Sequence, residues 1–177
     1  MKKLFYAIMV LASLTLASCD KDPIGGTATE NMAGDWYCKA FYVTADGTVG
    51  GYYATDFHVL TYNTAKNSPN ELFVDDLGNF WTFKVRVNAD PNTLTFSNAS
   101  GTKSEAYDGD NLYDITCNIT NGKILKQVAK TPSGMPADSI VFDILFGDDD
   151  DAVANGGTEY ERLRISGYRY TGLANDD

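Results

Sequence analysis

From residue 35 onward, apolar and polar residues alternate with a period of two, in short stretches separated by turn-forming residues. That period puts successive side chains on opposite faces of an extended chain, the pattern of strands with one face on a core. The clearest stretch is FWTFKVRVN at 80–88, where Trp81, Phe83, Val85 and Val87 face one way and Thr82, Lys84, Arg86 and Asn88 the other. In SIVFDILF at 139–146, Ile140, Phe142, Ile144 and Phe146 share a face. Strands are predicted at 35–44, 51–62, 71–75, 79–88, 92–98, 112–119, 123–129, 138–147 and 157–171. Asn121-Gly122 predicts a two-residue hairpin between Ile119 and Ile124, because both residues accept positive φ. The five prolines fall outside all of these segments, as sheet hydrogen bonding requires. Helical periodicity is nearly absent; residues 29–34 predict a single turn capped by Thr29.

A run of antiparallel strands with short connections leaves two exposed edges unless it closes on itself. The fold class is therefore all-β, an up-and-down antiparallel barrel, with an open-edged sandwich as the rival. Nine segments do not suit antiparallel closure, which needs an even number. Dropping 71–75 gives eight strands, and adding TKSEAY at 102–107 gives ten. In a simple meander the connections 45–50, 76–78, 99–111 and 130–137 share one end, and an open mouth is predicted there.

The first residues change the picture of where such a domain sits. Lys2 and Lys3 precede an apolar run at 4–16 that is too short to span a bilayer. Leu16-Ala17-Ser18-Cys19 then matches the lipobox of bacterial lipoprotein signals, in which the cysteine is lipidated. The predicted organisation is a signal peptide at 1–18, a lipidated tether at 19–30 and a barrel domain at 31–177. Each buried acyl methylene contributes about 0.8 kcal/mol, so two or three chains on Cys19 would anchor the domain. The expected location is the cell envelope, at the outer membrane, as a monomer. Loss of the two leader lysines takes the net charge from −10 to about −12, a field that repels nucleic acid. With Cys19 assigned to lipid, Cys38 and Cys117 remain, either as a disulfide or as two separate buried thiols. One histidine and no ligand spacing argue against zinc.

Gly34-Asp35-Trp36 opens the first strand. An indole entering directly after a glycine can lie across a barrel floor, and a guanidinium from the adjacent last strand can stack on it. Arg169 is the first candidate and Arg164 the second, both in TEYERLRISGYRYTG. On these residues the sequence resembles the lipocalin and calycin superfamily, whose Gly-x-Trp opening and late arginine close the barrel. More broadly, the lipobox, the DPIGGTATENMAGDWY lead-in and the RISGYRYTG close resemble the Gram-negative lipoproteins called lipid-binding putative hydrolases. That resemblance implies a lipocalin-like fold and a lipid or other apolar ligand, with hydrolysis only suggested by the name.

Candidate chemistry is sparse. His58 is the lone histidine, with Asp56 on the same strand face, but no Gly-x-Ser-x-Gly elbow is present. Phe57 and Val59 are the better inward residues, which leaves the imidazole exposed. The carboxylates at 148–151 predict a solvated, self-repelling loop and lack the alternating ligands of a calcium loop. No catalytic residue, metal or cofactor is assigned. Eleven tyrosines and nine phenylalanines favour binding instead, since such rings either fill a small barrel or line a cavity in it. The expected ligand contacts are Phe57, Trp81, Phe83, Tyr113 and Phe142. An interaction module with a filled barrel, gripping a protein or glycan through its loops, is the competing function, and a weak hydrolase is the third.

Overall fold

The computed structural model describes residues 26–176. Cys19, the signal segment and most of the predicted tether lie outside them. The strands are β1 (Gly34–Val43), β2 (Val49–Asn63), β3 (Glu71–Asp75), β4 (Lys84–Asp90), β5 (Thr95–Ser97), β6 (Tyr107–Asp108), β7 (Asn111–Leu112), β8 (Cys117–Lys130), β9 (Pro136–Phe146) and β10 (Arg162–Arg169), with one 3₁₀ turn at Val153–Asn155. Eight of them close in the order β1-β10-β9-β8-β5-β4-β3-β2, every neighbour antiparallel, while β6 and β7 form a small separate hairpin. The all-β barrel is the predicted class. Its eight strands arise differently from the prediction: β3 belongs to the barrel, and the two segments at 112–119 and 123–129 give a single strand.

Asn121-Gly122 is not a hairpin turn but a bulge within β8. Thr120 pairs with Asp143 and Lys123 with Val141, so β8 carries one residue more than β9 across this step. The consequence is a change of parity: Cys117 and Ile119 point inward before the bulge, and Ile124 after it. Two local features hold it. Asn121 takes φ 55° and donates from Nδ2 to Asp143 at 3.0 Å. A Cβ on Gly122 would lie 2.4 Å from the Phe96 carbonyl oxygen, so only glycine lets β5 approach here. Asp143 is buried on the outer wall, where it also accepts from Arg162 and Arg164. Burial pushes its carboxyl up, but the bonds from Arg164, Asn121 and Arg162 outweigh that and hold it below the usual range.

Because β8 runs through, every later connection changes ends. The 131–135 turn falls at the Trp36 end of the barrel, and the 147–161 connection arrives at the opposite mouth with 44–48, 76–83 and 98–116. The prediction had put 130–137 at the mouth and is corrected on this point.

The lumen is filled. Cys38, Val59, Leu72, Val74, Phe83, Val85, Cys117, Ile119, Ile140, Phe142, Ile144, Leu163 and Ile165 all have zero exposure within one continuous core. Zero exposure to a water-sized sphere means that no void large enough for water touches these side chains. Cys38 and Cys117 are both free thiols inside this core. They sit on β1 and β8, with β10 and β9 between them, too far around the wall for the 4.4–6.8 Å Cα separation of a disulfide. Burial raises both thiols, Cys117 to about 12.

At the floor, Trp36 is fully buried and directly opposite Arg169 in the β1–β10 register. The Arg169 guanidinium carbon lies 4.6 Å from the indole ring centre, and Nη1 donates to the Ala33 carbonyl at 2.8 Å. The indole N–H donates to Thr61 Oγ1 at 2.8 Å, whose hydroxyl donates to the Met32 carbonyl at 2.6 Å. Gly34 serves by its size: a Cβ there would meet Arg169 Nη1 at 2.6 Å and Trp36 Cζ2 at 3.0 Å. Arg164 is elsewhere, on the outer wall with Asp143. The residue 28–32 turn is present, but among the described residues the buried Thr29 hydroxyl has no hydrogen-bond partner and does not cap it.

Gly122→Ala is expected to force Phe96 and β5 away from the wall, at about 1–3 kcal/mol of overpacking. Urea unfolding of the variant beside the parent measures this. An unchanged midpoint would mean that the bulge does not need glycine.

Candidate functional site

The 76–83 connection organises the mouth, and a single carboxylate organises the connection. Asp76 is fully buried and accepts backbone N–H groups from Gly78, Phe80, Trp81, Thr82 and Phe83, at 2.6–3.0 Å. An anion surrounded by inward-turned amides forms a nest that fixes the backbone without a regular element. For this reason β4 begins at Lys84 rather than near residue 79, and Thr82 takes φ 56°. Trp81 therefore leaves the alternating strand pattern and is carried out over the rim, half-buried.

The rings presented there pack in layers. Phe80 stacks on Phe57 with ring centres 4.5 Å apart and 14° between planes. Trp81 stacks on Phe146 at 4.4 Å and 10°, and Tyr53 lies against Trp81 at 5.7 Å and 29°. Tyr53 is also edge-on to Phe80 at 5.9 Å. Phe146, fully buried, closes the core beneath this layer.

The acidic 147–161 connection supplies the polar partners. Asp148 accepts from the Trp81 indole N–H at 3.0 Å and from the Tyr113 hydroxyl. Asp149 is buried and accepts from the Tyr160 hydroxyl, which lies 2.8 and 2.9 Å from its two carboxylate oxygens. Asp149 is thus a buried structural carboxylate, which corrects the expectation of a wholly solvated loop at that position, while Asp148, Asp150 and Asp151 are exposed. The bond to Asp148, with burial behind it, pushes the Tyr113 phenol up to about 12. Burial and the bond to Asp149 raise Tyr160. Among the described residues, no group of three or more potential metal ligands converges.

Between these walls lies a solvent-open cleft of about 390 Å³, lined by Tyr53, Phe80, Trp81, Thr82, Asp108 and Tyr113. Of the five expected ligand contacts, the structure brings Trp81 and Tyr113 to this cleft. Phe83 and Phe142 are instead packed in the lumen, 5.4 Å from Phe146 and 5.7 Å from Phe96 ring to ring, and Phe57 is the support under Phe80. Parity along a strand cannot distinguish a lumen filled by rings from one lined by them. Asp76 was not singled out in the sequence. The available signal was Asp75-Asp76-Leu77-Gly78-Asn79, a turn-forming stretch whose aspartates bond to the backbone just beyond them.

His58 is on the outer wall near the floor, remote from the mouth. Its Nδ1 is 2.8 Å from Asp35 Oδ1, on the neighbouring strand rather than on Asp56, and its ring packs edge-on against Tyr37 and Tyr170. Among the described residues no hydrogen bond joins a serine to it.

Eight antiparallel strands in meander order, a Gly34–Trp36 floor under Arg169 and a mouth built from the opposite connections define a lipocalin-like barrel. The chain matches the family model described as lipid-binding putative hydrolase over residues 21–174, and it belongs to that family. No curated protein matches it.

Asp76→Asn would turn one accepting oxygen into a donor facing amide N–H groups. A loss of about 3 kcal/mol is expected from leaving such buried groups unpaired. Hydrogen exchange reads it locally, as lost protection at residues 78–83 while β9 and β10 stay protected. Unchanged protection at 78–83 would show that the carboxylate does not hold this connection.

Proposed function

We propose that this protein is a membrane-anchored lipoprotein of the cell envelope that holds a small amphipathic, lipid-like ligand at the mouth of its barrel. The observation that carries this is the aromatic cleft of about 390 Å³ above a lumen with no water-sized void against its inward side chains. A volume in that range accommodates a small ligand or one end of a larger one, and ring faces beside a few polar groups suit an amphipathic molecule. Family membership supports the lipid-like class. The Leu16–Cys19 motif supports the anchor, which would hold the cleft near a bilayer surface and near its ligands.

The interaction-module reading has weaker support. Tyr52 and Tyr53 are consecutive on β2 and point to opposite faces. Tyr52 packs outside against Phe41 and Tyr53 joins the mouth, so the exposed rings do not make one patch. For hydrolysis, the other half of the family description, no hydrogen bond joins a serine or a cysteine to His58 among the described residues.

Native mass spectrometry of the purified full-length chain tests the proposal. A co-purified amphipathic molecule is expected, and Trp81→Ala should lose it while β9 and β10 keep the parent's protection from hydrogen exchange. A bare chain that also fails to bind alkyl amphiphiles in titration would overturn it.

A further inference from the structure

The cleft's polar groups are unevenly distributed by sign. Its strongest donors, the Trp81 indole N–H and the Tyr113 hydroxyl, are both committed to Asp148. The remaining lining is ring faces, the Tyr53 and Thr82 hydroxyls and the carboxylate of Asp108, with no lysine, arginine or histidine among the six residues. A ligand anion would find the two strongest donors already used and only neutral hydroxyls left, and it would meet the negative charge of Asp108.

Charge beyond the lining has the same sign. Behind burial, which is the larger cause, Asp149, Asp151 and Asp148 lie close enough to raise the Tyr53 phenol, and Tyr42 adds to it. Asp108 acts on Tyr113 in the same direction, after Asp148 and burial. The chain as a whole carries a formal charge of −10, which concentrates cations in a concave acidic site. Aromatic faces attract cations through their quadrupoles, best for an alkylated ammonium, whose weak hydration makes desolvation cheap.

Resting on the reading of the mouth as a ligand site, we infer that the cleft receives an organic ammonium group. That group sits against Tyr53, Phe80, Trp81 and Tyr113, with Asp108 as its counter-ion. A lipid headgroup ending in trimethylammonium and a free alkylated amine share this chemistry. A fatty carboxylate does not.

Calorimetric titration of the full-length chain with hexyltrimethylammonium, hexanol and hexanoate varies the head charge on one tail. The cation is expected to bind about tenfold tighter than the alcohol, and the carboxylate more weakly than either. Asp108→Asn, at an exposed position where folding is not at stake, should remove most of the cation's advantage. Trp81→Leu should weaken all three. Competition by phosphocholine would support the inference with a lipid headgroup as the source, and competition by tetramethylammonium alone would support it with a free amine. Equal binding of the three probes would overturn the ammonium inference and leave the amphipathic-ligand proposal standing. Binding of none would overturn both.

Discussion

Closure of the tube depends on β10 returning to β1, and the two strands are locked where Arg169 lies over the Trp36 indole. The contact joins several requirements at one point. The indole fills the floor and its N–H is satisfied by Thr61, while the guanidinium satisfies the Ala33 carbonyl of the entering chain. Arg169 Nε also lies 3.4 Å from Asp138 on β9, and Lys126 of β8 reaches both Asp138 and the Asn31 carbonyl. Three consecutive strands are thereby tied to the lead-in segment. An arginine stacked on an aromatic while bonding a carbonyl makes geometric demands that lysine cannot meet.

With the floor sealed and the lumen packed, binding is left to the mouth, and two devices shape it. One is the Asn121–Gly122 bulge, which preserves an inward apolar face while moving the parity of β8 by one residue. Because β8 runs on through the bulge instead of turning there, the acidic 147–161 connection is delivered to the end opposite Trp36, where its carboxylates meet Trp81, Tyr113 and Tyr160. The other is Asp76, whose buried charge gathers five backbone amides and lifts Phe80 and Trp81 out of strand geometry. Neither device adds a regular element, yet together they assemble an aromatic and acidic rim above a plain apolar core.

Much of the barrel was legible because its signals are local. Alternation in Val85–Val87 and in Ile140–Phe146 reports one buried face directly, and Gly34, Trp36 and Arg169 are recognisable by residue type and placement at the two ends of the barrel. The bulge was not legible, because Asn-Gly tolerates positive φ equally well in a hairpin and in a bulge. The choice between them is made by Phe96 and Asp143, from strands far along the chain. Misplacing that one turn assigned the later connections to the wrong ends and hid the part the acidic 147–161 connection plays in the mouth. Trp81 was misassigned to a strand for a related reason: a period-two pattern continues through residues 80–83, but the Asp76 nest overrides it. The aromatic richness was apparent, whereas its division between core (Phe83, Phe142) and rim (Tyr53, Trp81) follows only from tertiary packing.

The two tryptophans mark the two ends of the molecule, one under Arg169 at the floor and one at the rim, and so report where a guest goes. The most direct measurement is fluorine NMR of the chain carrying fluorinated tryptophan at both positions, titrated with a dodecyl amphiphile below micelle-forming concentration. The account predicts that the Trp81 resonance shifts with saturation while the Trp36 resonance stays fixed. Movement of the Trp36 resonance along the same binding curve would place the tail inside the tube and contradict a solid lumen.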